Sequence, residues 1–356
     1  MDVLEDVAAI DKSGMLHAQL SMPEASVDAL ELARLFLDRE GVARCLEDKP
    51  KCIIVSGMGG SAIGGEIVRD RFLDEVKIPI FVSRGYNLPA FADRESLVFV
   101  VSYSGSTDET LGSFEDGLAK GCRMLGITSG NELHRLCLSH GVPCLRIPEA
   151  VAPRAALPYL FFPVLAAVQR VSLRDSLGPE ISEALDVMNG LRDDTRIEVP
   201  SPTNPAKQLA KELVGKIPVI YAESRYSAAA LRMKTQFNEN SKIPAYSAVY
   251  PEAFHNDIVG YESKSDLSSV LSLLLLRDQD EDRRIGARIE ALKSILLDRV
   301  HSAKEIWTRG ESRLAKVLSL VYLGDVTSTY LALLCGIDPT PTESISRMKR
   351  VRENHL

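Results

Sequence analysis

Three stretches of this 356-residue chain bring hydroxyls, backbone amides and glycines together: Gly57-Met58-Gly59-Gly60-Ser61, Ser102-Tyr103-Ser104-Gly105-Ser106-Thr107 and Thr128-Ser129-Gly130-Asn131. Each follows a short apolar run of strand character and precedes a segment with helical potential. In an open parallel sheet, that puts all three at the carboxyl edge, where ligands collect. Free N–H groups and the helix dipole favour an anion there. The loops carry almost no fixed positive charge, so they suit a phosphate monoester held by neutral donors. A single Ser/Gly cluster reads more simply as a turn or a helix cap. Three in one topological position point to a ligand.

Proton transfer would need other side chains. His255 stands in Pro251-Glu252-Ala253-Phe254-His255-Asn256-Asp257, a polar loop after a strand, and imidazole moves protons near neutrality. Glu239, in Phe237-Asn238-Glu239-Asn240-Ser241-Lys242, could act as a base if partly desolvated. On the residues alone an ordinary polar helix end is the stronger reading, and Glu252 and Asp257 are rival carboxylates. Arg154, in Ala152-Pro153-Arg154-Ala155, is a lone cation that could stabilise an oxyanion or pair with an acid. His17, His134, His140, His301 and His355 have bland surroundings. No H-x-x-x-H or H-E-x-x-H spacing suggests a catalytic zinc.

The elements that must position these groups alternate strand and helix. Strands are expected near 51–55, 78–83, 96–103, 123–127 and 143–147, with helices near 60–73, 108–120, 132–139 and 158–171. A second half repeats the plan with less glycine. Its strands are expected near 217–221, 243–249, 270–276 and 303–308, and its helices near 226–239, 281–297 and 313–335. The fold class is therefore α/β, two parallel sheets each flanked by helices in a three-layer sandwich. The division reads as an N-terminal helical segment (1–48), a first domain (49–189), a Pro-rich linker (190–212), a second domain (213–335) and a C-terminal helical segment (336–356).

Composition narrows the function. Apolar residues make up 45%, charged residues 26%, and the formal net charge is −7, which gives no support to a nucleic-acid surface. Apolar runs such as 157–168 and 270–276 fall short of a membrane span, and the acidic start is unlike a signal peptide. Six cysteines without a C-x-x-C pair suit a reducing compartment, so a cytoplasmic protein is expected. Gly57-Met58-Gly59-Gly60-Ser61-Ala62 fits a loose dinucleotide fingerprint. The acid expected after the next strand is missing, however; that strand ends Ser83-Arg84-Gly85, which at best suits a 2′-phosphate.

Taken together, GMGGSAIGG (57–65), SYSGSTDET (102–110), TSGN (128–131), APRAALPY (152–159), FNENSKIPA (237–245), PEAFHND (251–257) and GIDPTPTESISRMK (336–349) resemble the bifunctional phosphoglucose/phosphomannose isomerases, built from two sugar isomerase (SIS) domains. The resemblance implies a five-stranded parallel sheet in each domain and an active site between them in a homodimer. It implies that Ser61, Ser102, Ser104 and Thr107 hold the sugar phosphate and that Gly59 and Gly60 contact substrate through the backbone. Arg154 would steady an enediolate, and Glu239 would shuttle the proton between C1 and C2. His255, supplied across the dimer, and Lys349 would open the sugar ring. Thr342 would leave room for the mannose epimer. No cofactor and no metal are implied, and the substrates would be glucose 6-phosphate, mannose 6-phosphate and fructose 6-phosphate. The rivals are another SIS-domain phosphosugar isomerase and a non-enzymatic sugar-phosphate sensor.

Overall fold

Short, near-continuous apolar runs pair in parallel, as strands covered on both faces should. The computed structural model describes residues 4–172, 176–262 and 268–353. The first sheet contains β1 (Cys52–Ser56), β2 (Ile80–Ser83), β3 (Ser96–Val101), β4 (Arg123–Thr128) and β5 (Cys144–Arg146), in the order β2-β1-β3-β4-β5. Every residue of β1 and β3 is buried. The second contains β6 (Ile217–Glu223), β7 (Tyr246–Tyr250), β8 (Leu271–Arg277) and β9 (Ser302–Trp307), in the order β7-β6-β8-β9. All pairings are parallel.

The two orders superimpose strand for strand except at β5, so the repeat expected from the sequence is present in topology. The implied fifth strand of the second sheet is absent among the described residues. After β9 the chain turns directly into a 22-residue core helix instead of a short helix and another strand.

The helices are α1 (Leu4–Ile10), α2 (Met15–Leu20), α3 (Met22–Leu37), α4 (Glu40–Cys45), α5 (Gly60–Phe72), α6 (Asp108–Ala119), α7 (Asn131–Ser139), α8 (Leu157–Val171), α9 (Gly178–Thr195), α10 (Pro205–Glu212), α11 (Ser227–Glu239), α12 (Arg283–Leu296), α13 (Arg313–Leu334) and α14 (Glu343–Glu353). Helix fills much of the stretch read as a linker: α9 runs to Thr195, and α10 begins at Pro205 under an Asn204 cap whose side chain accepts from Lys207 N at 3.0 Å. The prolines at 200 and 202 break only the short segment between them.

One apolar core joins the two sheets. It runs from Ile53 and Phe99 of the first sheet through Ile67, Phe161, Phe237 and Tyr330 of the intervening helices to Leu274 of the second. Among the described helices, α13 alone is long and apolar enough to cross a membrane. Here it is the central core helix, buried along nearly its whole length against α9, α10 and α11. Two of its polar residues are paired inside the protein: Asp325 pairs with Arg232 at 2.5 Å, and the Ser328 hydroxyl donates to the Asp325 carbonyl at 2.6 Å. The six cysteines are all free.

Candidate active site

The loops at the carboxyl edge of the first sheet interlock. Gly105 has φ +67°, and a Cβ on it would lie 1.9 Å from the Gly130 carbonyl oxygen, so no larger residue fits between the 102–107 and 128–131 loops. Asn131, itself at φ +58°, donates to the Ser104 carbonyl at 2.7 Å. The buried Ser102 hydroxyl accepts from Gly105 N at 3.1 Å and stands 3.2 Å from the Thr107 hydroxyl. Ser104 and Thr107 lie 3.4 Å apart through their hydroxyls. Ser61, in the first turn of α5, accepts from Tyr103 N at 3.0 Å, which leaves its own proton to donate. Tyr103 is pinned through its hydroxyl to Ala150, donating to the carbonyl at 2.9 Å and accepting from the N–H at 2.6 Å. The result is a rigid nest of neutral donors at the N-termini of α5 and α6.

The charged groups come from both halves of the chain. Arg154, in a 3₁₀ turn at Pro153–Ala156, is 3% exposed. Its guanidinium donates to Asn240 Oδ1 at 2.5 Å, to Glu239 Oε2 at 3.3 Å, and to the Pro339 and Thr340 carbonyls at 2.7 and 2.9 Å. Burial draws it below its ordinary pKa, against the pull of the Glu239 carboxylate. Asn240 is fixed in turn by donating to the Ser328 hydroxyl at 2.9 Å, and Arg232 donates to the Arg154 carbonyl at 2.8 Å. Lys242, at φ +57°, donates to the carbonyls of Glu239 and Pro339. Desolvation, then repulsion from Arg154, lowers its pKa.

Glu239 ends α11 and opens onto two cavities. The smaller, about 70 Å³, is lined by Gly59, Gly60, Arg84, Arg154, Gln236 and Glu239 among others. Gly60 is what lets the wall close: a Cβ there would sit 3.3 Å from Arg154 N. The larger, about 730 Å³, is lined by Glu239, Lys242, Asp338 and Thr342 among others. Carboxylate, guanidinium and glycine turn thus share one cleft, with the hydroxyl nest beside it. Such a site can hold a phosphorylated ligand, remove a proton and neutralise the resulting charge.

Other expected residues stand apart. His255 is exposed on a loop beyond the end of β7, whereas Glu239 lies on the approach to the start of that strand. The two therefore sit at opposite edges of the second sheet within one chain. Lys349 is exposed on α14, which is tethered to the first domain by an Arg352–Asp108 pair at 2.5 Å. Asp108 begins α6, directly after Thr107. Glu252 accepts from Asn256 on the His255 loop, far from Arg154 in the fold, and Asp257 is on that loop too. His355 lies outside the described residues.

Arg84, Thr235, Gln236, Asn240 and Lys242 also surround the site. Thr235 and Gln236 precede Glu239 by one helical turn, and that spacing was a readable signal. Among the described residues, the second sheet offers no comparable nest at its carboxyl edge. There Tyr226 donates to Asp278, and Lys316 pairs with Asp278 at 2.9 Å and with Asp280.

Comparison with known proteins identifies the family. Residues 202–351 match the family described as the bacterial phospho-glucose isomerase C-terminal SIS domain. A bifunctional phosphoglucose/phosphomannose isomerase of Caldicellulosiruptor bescii is 38% identical over 336 residues, 94% of this chain and 98% of that protein. One from Aquifex aeolicus is 35% identical over 309 residues, 86% of this chain and 91% of that protein. A hypothetical protein from Thermus thermophilus superimposes with a TM-score of 0.74 over 96% of this chain and 91% of its own, at 16% identity, and shares the fold.

Proposed function

The chain belongs to the family of bifunctional phosphoglucose/phosphomannose isomerases, within the SIS-domain phosphosugar isomerases, and from that premise we propose that it interconverts fructose 6-phosphate with glucose 6-phosphate and mannose 6-phosphate. The observation that carries the reading is the Glu239 carboxylate, 3.3 Å from the buried Arg154 guanidinium, in a cleft walled by Gly59 and Gly60. The hydroxyl nest takes the phosphoryl group, whose binding energy orients the far end of the sugar. Glu239 removes a proton from C2 of an aldose or C1 of the ketose, giving a cis-enediolate. Arg154 offsets the charge that develops on the oxygens. Glu239 returns the proton to the neighbouring carbon. Rotation about C2–C3 presents either face of C2 to the same carboxylate, so both epimers feed one intermediate.

His255 and Lys349 open the cyclic sugar in this scheme. The separation of His255 from Glu239 within one chain favours a site completed by the partner of a homodimer. The test is direct. Purified, metal-stripped protein given glucose 6-phosphate or mannose 6-phosphate should form fructose 6-phosphate from each. Binding of the sugar phosphates without turnover would support a sensor instead, and conversion of neither would end the proposal.

A further inference from the structure

We propose that Arg84 is a second cation for the carbonyl end of the substrate, holding an oxygen of the C1–C2 unit as charge develops there; this rests on the isomerase reading above. Arg84 follows the last residue of β2 and lines the same small cleft as Glu239, Arg154, Gly59 and Gly60. Sheet order gives it a definite place along a bound sugar. The hydroxyl nest lies beyond β3, the glycine turn beyond β1 and Arg84 beyond β2, and these strands are adjacent in the order β3, β1, β2. Two strand spacings separate the ends, roughly 10 Å. A six-carbon chain with its phosphoryl group over β3 therefore crosses the Gly59–Gly60 turn and points its first carbons towards β2, where Glu239 and Arg84 both open.

The guanidinium is also held in place. Glu66, 4% exposed, accepts from one Arg84 nitrogen at 2.5 Å and pairs with Arg69 through its other oxygen. Arg69 in turn donates to Asp70 at 2.8 Å and to the Ser227 hydroxyl at 3.0 Å. Asp70 accepts from Ala228 N at 2.7 Å, at the start of the helix that ends in Glu239. One polar chain therefore ties Arg84 to the helix carrying the carboxylate. The remaining N–H groups of the Arg84 fork have no hydrogen-bond partner among the described residues. A guanidinium with spare donors, oriented by a buried acid, is suited to an oxyanion.

Two guanidiniums at the carbonyl end should favour a ligand with a carboxylate at C1 over one with a hydroxymethyl group there. Calorimetric titration of the protein with a hexonate 6-phosphate and with a hexitol 6-phosphate measures that preference without turnover. In Arg84→Gln the preference for the hexonate should fall about tenfold, the worth of one charge-assisted hydrogen bond, while hexitol affinity stays within about twofold. Arg84→Lys should recover part of it. An unchanged preference in Arg84→Gln, or equal weakening of both ligands, would overturn the assignment while leaving the isomerase reading intact. Binding of neither ligand by the unaltered protein would overturn both.

Discussion

Arg154 and Glu239 meet at 3.3 Å although 85 positions separate them and they belong to different halves of the chain. The arginine is almost wholly buried, while the glutamate side chain is 29% exposed at the cleft. A buried cation held by two carbonyls and an amide oxygen cannot turn away, so the carboxylate beside it is held at the mouth of the site.

That relation makes Glu239→Gln the first prediction. The amide keeps the shape and can still accept from Arg154, but it cannot take a proton. Turnover of fructose 6-phosphate should fall by about two to four orders of magnitude, with the circular dichroism spectrum unchanged. Near-normal turnover would transfer the role to Glu252 or Asp257.

The opposite placement of His255 and Glu239 gives the second. Glu239→Gln and His255→Ala should each be poorly active alone. In verified mixed dimers, one of the two sites regains both intact residues, so roughly half of normal activity should return. Mixed dimers no more active than their parents would mean that each subunit works alone.

Thr342 shares the larger cavity with Glu239. Thr342→Gln fills space beside C2 and should lower kcat/KM for mannose 6-phosphate by about tenfold relative to glucose 6-phosphate. Equal losses on both sugars would remove Thr342 from epimer tolerance.

Stability should report a contact between α9 and the start of α13. The Glu183 carboxylate accepts from Glu311 N at 2.5 Å and Ser312 N at 3.0 Å. Those backbone hydrogen bonds, Glu311 first, hold its pKa below the ordinary glutamate value of 4.5. A carboxylate depressed in the folded state stabilises above its unfolded pKa and loses that contribution as pH falls through the folded one. Glu183→Gln should therefore cost about 1 kcal/mol in urea unfolding at pH 7. The difference should shrink below pH 4.5. A difference independent of pH would mean that the charge has no part in the contact.

Much of the first half was legible because its backbone demands particular residues. Gly105 must be glycine against Gly130, and Ser102, Ser104 and Thr107 read as a donor loop whatever lies opposite. The continuous apolar character of β1 and β3 likewise announced buried parallel strands. The charged half of the site was less open to reading, since Arg154, Glu239 and Asn240 meet only through tertiary packing. On local grounds Glu239 was an ordinary helix end until the family motifs singled it out. Arg84 was noticed only as a stand-in for a missing acid, because strand order, which gives it a place, is not written in local pattern. The fifth strand implied for the second sheet, absent among the described residues, has a similar cause: α13, with Asp325 and Arg232 paired inside the core, takes the chain elsewhere.

The central claim is that one carboxylate carries a proton between adjacent carbons. Converting fructose 6-phosphate in deuterium oxide and reading C2 of the aldose products by nuclear magnetic resonance tests it. Exchange of the proton on Glu239 with solvent should place deuterium at C2 of both glucose 6-phosphate and mannose 6-phosphate. The Glu239 side chain is 29% exposed, so full conversion with no deuterium at C2 of either sugar would contradict proton carriage by this solvent-open carboxylate, and the account would fail.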